Sequence, residues 1–281
     1  MAYPFTDVSD RPLSELLSLR GRRAVVTGGA QGLGRAIAAR LAARLAEAGA
    51  DLLLLDLDEA AAQGAAEALA SQYEVRALGL AADVSDAVAV AAAADHAVAE
   101  LGSIDVWVNN AGIFPNAPAL ELTEETWEQV FAVNARGVFL GAREAARRMA
   151  AGGSGGVIVN IISTAGVQVA FPGMAAYVSS KHAALGLTKS LAVDLAPQGI
   201  RVLGVAPSYV PTEGNLAAAQ AAAEEAAAAG AELPSLDVMN SSLIGRFGTP
   251  DDIARVVLFA VSDLSMVMTG STLLADAGET L

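Results

Sequence analysis

Tyr177-Val178-Ser179-Ser180-Lys181 sets a phenol four residues before an ammonium. On a helix that spacing puts both side chains on one face. A free phenol has a pKa of about 10 and is a poor base near neutrality. A neighbouring ammonium, joined by a bound pyridinium ring, favours the phenolate. Such a tyrosine can exchange a proton with a reacting oxygen. Upstream, Ser163 lies in Ile161-Ile162-Ser163-Thr164-Ala165-Gly166. Its hydroxyl can hold that oxygen if it stands at the carboxyl end of a strand, where doubly wound sheets bind ligands.

A second cluster, Thr27-Gly28-Gly29-Ala30-Gln31-Gly32-Leu33-Gly34, follows a short apolar run and opens an alanine-rich one. Glycines permit a tight turn and close approach of a ligand. The start of the helix offers free N–H groups and a positive dipole end to a pyrophosphate. In a strand–turn–helix setting this predicts dinucleotide binding. Asp56 comes 22 residues after Gly34 at the end of the next apolar run. A carboxylate there can accept both ribose hydroxyls and repels a 2′-phosphate, so NAD is expected over NADP.

The elements that must position these groups alternate along the chain. Strands are expected over 23–27, 52–56, 75–80, 104–109, 157–162, 200–205 and 271–276. Helices are expected near 14–19, over 34–48 and after Asp56 to Ser71. Others are expected over 87–101, as one long element over 123–149, over 175–195, and from Thr249-Pro250-Asp251-Asp252 onward. Threonine as N-cap, proline at the first position and acids behind it are start signals. Short strands, apolar on both faces and separated by helices, make a parallel sheet covered on both sides. The expectation is an α/β protein: one doubly wound Rossmann-fold domain, with seven parallel strands and helices on both faces, over 21–281. Residues 1–20 read as an N-terminal extension. Residues 212–245 read as a substrate loop or lid containing the alanine- and glutamate-rich stretch 216–231. Ala38-Ala39-Arg40-Leu41 is repeated at once as Ala42-Ala43-Arg44-Leu45, which predicts a first helix one turn longer at its far end.

Composition narrows the partners. The formal charge of −14 disfavours phosphate backbones and anionic lipid, so neither nucleic acid nor a membrane surface is expected. The 54% apolar fraction is inflated by alanine, which favours helices without demanding burial. With no cysteine and only His96 and His182, no metal site is expected. The first ten residues carry Asp7 and Asp10 and do not read as a signal peptide, which makes the cytoplasm the expected location.

Over residues 20–281 the chain resembles the short-chain dehydrogenase/reductase family. The motifs come in the family's order: Thr27–Gly34, Asp83-Val84, Asn109-Asn110-Ala111-Gly112, Asn134, Ser163, Tyr177 with Lys181, then Pro207, Val210 and Thr212. The resemblance implies cofactor contacts from Gly28, Gln31, Gly32, Leu33, Gly34, Asp56, Asp83, Val84, Asn110, Ala111 and Gly112. It also implies that Lys181 bonds the nicotinamide ribose and lowers the tyrosine pKa, and that Asn134 holds a water passing protons from Lys181. Ser163 would orient the substrate, Tyr177 would exchange the proton, Thr212 and the backbone at Val210 would hold the carboxamide, and Pro207 would be a further cofactor contact. A homotetramer is implied too, with the Asn134 and Tyr177 helices at a subunit interface. Three features depart from the family's pattern: Ser208 and Ala277 replace glycines, and the tetrapeptide at 38–45 is doubled.

The expected reaction moves a hydride between nicotinamide and a secondary alcohol, polyol or sugar hydroxyl, or the matching ketone. An NADP-dependent carbonyl reductase and a non-catalytic dinucleotide sensor are the alternatives. Gln168 and Tyr209 are expected to touch substrate, with Phe114, Asn116, Phe171 and Met174 as further pocket walls. Trp107 and Trp127 read as packing residues. His182 is expected to point away from the site, and Arg143, Arg147 and Arg148 to form a solvated or subunit-facing helix side.

Overall fold

A computed structural model describes residues 5–30, 49–169, 172–212, 220 and 242–281. Seven strands form one parallel sheet: β1 (Arg23–Thr27), β2 (Asp51–Asp56), β3 (Ala77–Ala81), β4 (Val106–Asn109), β5 (Gly156–Ile161), β6 (Ile200–Pro207) and β7 (Thr272–Ala275). Their order is β3-β2-β1-β4-β5-β6-β7, so the chain reverses its direction of travel across the sheet between β1 and β4. The crevice at such a switch point, beyond the carboxyl ends of the strands, is where doubly wound sheets bind ligands.

Alternation along the strands makes two cores. Ala24, Val26, Leu52 and Leu54 pack with α2 (Glu59–Tyr73) and α7 (Pro250–Val261) on one face. Val25, Leu53, Leu55 and Trp107 pack with α3 (Ala87–Leu101) and α5 (Val138–Gly152) on the other. The start signals read at Thr249 form a complete capping box with Asp252. Near the N-terminus, α1 covers Leu13–Leu17. Leu19 sinks into the first core, and Arg11 and Arg22 both pair with Asp263, so this segment is tied to the domain.

Several expected bounds change; the fourth strand begins at Val106 rather than Ile104, and the sixth runs on to Pro207. The third strand begins at Ala77 rather than Val75, because α2 runs to Tyr73 and Glu74 ends it in a left-handed conformation, φ 54°. That turn uses up the residues before the strand. The expected single helix over 123–149 is three pieces: α4 (Glu124–Phe131), a π-helical turn (Ala132–Gly137) and α5. A π turn inserts an extra residue and re-aims what it carries, here Asn134. The expected first helix, the doubled tetrapeptide and, residue 220 apart, the stretch 216–231 lie outside the described residues.

Candidate active site

The glycine turn starts where β1 ends. Gly28 has φ +70°, and a Cβ there would fall 2.7 Å from the Ala111 Cα. Only glycine lets the ends of β1 and β4 meet so closely. Thr27 clamps the junction, its Oγ1 accepting from the amides of Asn110 (3.0 Å) and Ala111 (3.1 Å). The Asn110 side chain donates to the carbonyls of Thr27 (3.0 Å) and Gly28 (3.2 Å). Asp56 ends β2 beside this turn, buried, and accepts from the Ala30 amide. Asp83 is exposed after β3 and holds the amide and hydroxyl of Ser85. Val84 packs where a Cβ on Gly137 would stand, 3.0 Å away. Gln31, Gly32, Leu33, Gly34 and Phe171 lie outside the described residues.

The second half of the site is built by β5, the π turn and α6 (Ala175–Leu195). Ser163 follows β5 and caps a short 3-10 turn, accepting from the Ala165 amide at 3.1 Å. Tyr177 and Lys181 lie one turn apart on α6, with the Lys181 Nζ 5.6 Å from the Tyr177 ring centroid. That ammonium is buried and donates to the Ile161 carbonyl at 3.0 Å. Burial lowers its pKa to about 8. Burial also pushes the Tyr177 phenol up, while hydrogen bonding to Ser163 pulls it back. The expected acidification of the phenol is therefore not set by the described side chains: desolvation outweighs their help.

Asn134 is fully buried, and its amide is committed. It donates to the Ile113 carbonyl (2.7 Å) and the Ser180 hydroxyl (3.1 Å), and accepts from the Ile113 amide (2.9 Å). Ser180 in turn donates to the Tyr177 carbonyl at 2.7 Å. The side chain thus fixes the 111–113 loop against α6. A Cβ on Gly112 would stand 3.3 Å from the Asn134 Oδ1 and 3.6 Å from the Lys181 Nζ, so these groups converge on one small space.

A family model described as enoyl-(acyl carrier protein) reductase matches residues 29–280. D-threitol dehydrogenase of Mycolicibacterium smegmatis is 36% identical over 264 residues, covering 94% of each chain. A short-chain type dehydrogenase/reductase from Mycobacterium marinum matches with a TM-score of 0.84 at 34% identity, over 95% of this chain and 98% of its own. The chain belongs to the short-chain dehydrogenase/reductase family. A gluconate 5-dehydrogenase from Burkholderia cenocepacia J2315 in complex with NADP and tartrate matches with a TM-score of 0.83 at 34% identity, over 96% and 99%. A NAD+-bound xylitol dehydrogenase matches at 0.81 and 32%, over 91% and 98%.

As a short-chain dehydrogenase/reductase the chain is an oxidoreductase with a nicotinamide cofactor, and its crevice fits one. The glycine turn admits no side chain against Ala111, the Asp56 carboxylate stands beside it, and the Lys181 ammonium is buried at the other end. Pro207 ends β6, with Val210 and Thr212 buried just beyond it. Tyr209 meets Phe247 edge-on at 5.4 Å, and Gln168 is half-buried after the Ser163 turn. Both departures from the family's glycines are visible. The Ser208 hydroxyl donates to the Glu279 carboxylate, and Ala277 takes a positive φ, 55°.

Several supporting residues escaped the sequence reading. Trp107 Nε1 donates to the Asn109 Oδ1 (2.8 Å), Asn109 Nδ2 to the Asn160 Oδ1 (2.9 Å), and Asn160 Nδ2 to the Thr188 hydroxyl (2.9 Å). This buried chain joins β4, β5 and α6. The one available signal was an asparagine closing the apolar run Val157-Ile158-Val159. The three arginines of α5 also gather around a residue not singled out, the buried Glu144, whose carboxyl stays low against the cost of burial because Arg148 and Arg143 bond it. His182 is exposed and contacts the Val178 carbonyl, away from the site as expected.

Proposed function

We propose that the chain is an NAD-dependent dehydrogenase of secondary alcohols, polyols or sugars, running in either direction, with Tyr177 as general acid/base. One observation carries the reading. The Tyr177 phenol interacts with Ser163 and lies one helical turn from the buried Lys181, at the carboxyl end of the sheet beside the crevice. In the oxidising direction Ser163 holds the substrate oxygen and the O–H proton passes to Tyr177. The C–H bond breaks as its electron pair leaves with the hydride. Bound nicotinamide supplies the acceptor for that hydride and, when oxidised, a positive charge that favours the phenolate. Lys181 adds its own charge below the ring, and Asn134 keeps the 111–113 loop in place.

Asp56 supports NAD. Its buried carboxylate, facing the glycine turn, disfavours a 2′-phosphate. An NADP-dependent carbonyl reductase is the second reading, drawn from the NADP-bound gluconate 5-dehydrogenase. Comparing turnover of one ketone with NADH and NADPH separates the two; equal rates would remove the argument from Asp56. The proposal includes a homotetramer in the cytoplasm and a small-molecule alcohol or ketone as partner, with no nucleic acid or membrane. Among the described residues no helix is long and apolar enough to cross a membrane. A monomer in gel filtration would count against the tetramer. Tyr177→Phe tests the chemistry: cofactor reduction should fall by about 10³-fold with binding of NAD retained, and unchanged turnover would end the assignment.

A further inference from the structure

We infer that the site prefers secondary alcohols, and the matching ketones, whose carbinol carbon bears a compact apolar group, over polyhydroxylated chains, and that Phe114 sets this preference. The inference rests on the reading of Tyr177 given above. Phe114 meets the Tyr177 ring edge-on, centroids 6.1 Å apart at 68°, and is 43% exposed. A ring left open beside the reacting phenol gains from covering by an apolar substituent. It offers no partner to a second hydroxyl, which would lose its hydrogen bonds to water there.

The Phe114 loop is held in this position. Asn116 Nδ2 donates to the Pro172 carbonyl at 3.1 Å, and the Ala117 amide donates to the Gly173 carbonyl at 2.9 Å. Gly173 has φ +81°, and a Cβ there would fall 2.3 Å from the Asn116 Oδ1. The loop bearing Phe114 is therefore latched to the turn that leads into α6, the helix bearing Tyr177. The latch also engages the amide of Asn116. Asn116, the polar side chain nearest to Phe114 in sequence on this loop, thus holds the wall through its Nδ2. Asn116 is a positioning residue, and Phe114 is the contact that discriminates.

The test measures kcat/KM for butan-2-ol, cyclohexanol, erythritol and xylitol, with NAD+ and NADP+ each supplied at saturation. The wild-type chain should favour the two apolar alcohols by about 20-fold or more, from about fourfold for each CH2 covered and about fivefold for each hydroxyl left unpaired. Phe114→Ala should lower kcat/KM for the apolar alcohols by about tenfold, mainly through KM, and leave the polyols within twofold. Phe114→Asn should move the ratio further toward the polyols, and Asn116→Ala should move it in the same direction by a smaller factor. Thermal melts keep folding separate from recognition. A wild-type preference for polyols, or an equal fall for both classes in Phe114→Ala, overturns the inference and leaves the dehydrogenase reading intact. Failure to reduce either cofactor with any alcohol overturns both.

Discussion

The middle and the edge of the sheet treat their polar groups differently. In the middle, Asn109, Asn160 and Thr188 bond one another in sequence, and Asn134 uses its amide on three partners. At the β7 edge the Thr272 hydroxyl is buried without a partner, and Ala277 is held in the left-handed region at φ 55°. There too, burial and the neighbouring Asp276 raise the Glu279 carboxyl. The middle carries Ser163, Tyr177 and Lys181, where a misplacement of about 1 Å can cost about 10²-fold in rate. The edge carries Ala277, one of the two departures from the family's glycines, and tolerates its strain because no proton or hydride moves there.

Breaking the middle should have the larger effects. Tyr177→Phe comes first, with its loss of about 10³-fold in turnover and little change in stability. Lys181→Met comes second and acts on both rate and stability. The folded pKa of Lys181, about 8, lies below its ordinary value of 10.5. Below pH 8 the ammonium is charged both in the fold and in the unfolded chain, and the full burial cost is present. Between about 8 and 10.5 the unfolded chain binds the extra proton, so this group's contribution to stability rises with pH. Lys181→Met should therefore abolish turnover, stabilise the fold at pH 7 by up to about 3 kcal/mol, and remove that rise. Denaturant titrations at pH 7 and pH 9.5 check it; an unchanged slope between them would mean that Lys181 is not desolvated in solution.

Thr188→Val comes third. It keeps the shape of the side chain and removes the hydroxyl that accepts from Asn160 and donates to the Ala184 carbonyl at 2.8 Å. A buried Asn160 Nδ2 left without this partner should cost about 1–3 kcal/mol. Urea unfolding should show a lower midpoint at unchanged m. A midpoint shift under a few tenths of a molar would show that the buried chain is not what holds β5 to α6.

These contrasts also explain what could be read from the sequence. The helices over 87–101 and 175–195 match the expected bounds. For the first, the local signals at both ends are strong: Asp86 caps it at Val88, and Gly102 closes it in the left-handed region. The order of strands and helices was legible because apolar period and glycine punctuation are local properties. The π turn was not, because what it positions is an amide reaching Ile113, 21 residues away. The Asn116–Pro172 latch spans 56 residues and has no local signature. Ser163, Tyr177 and Lys181 were readable as types and spacings. The raised phenol was not, since desolvation depends on packing that spacing does not encode.

The edge offers the smallest effect and the sharpest contrast with the middle. Ala277 sits at φ 55° in a turn where Asp276 accepts from the Gly278 amide at 3.0 Å and the Thr280 amide at 3.1 Å. A left-handed conformation costs an L-residue about 1–2 kcal/mol, and glycine is free of that cost. Glycine also gains freedom in the unfolded chain, which returns about 0.4–1 kcal/mol. Ala277→Gly should therefore stabilise the fold by about 0.5–1 kcal/mol, a rise of roughly 2 °C in Tm. The Leu243 amide donates to the carbonyl of residue 277 and not to its side chain, so that tie survives the substitution. Turnover should stay within twofold, because nothing removed touches Ser163, Tyr177 or Lys181. A loss of activity without loss of stability would show that the edge and the reacting centre are coupled through the Ser208–Glu279 contact, and the separation drawn between the two regions would fail.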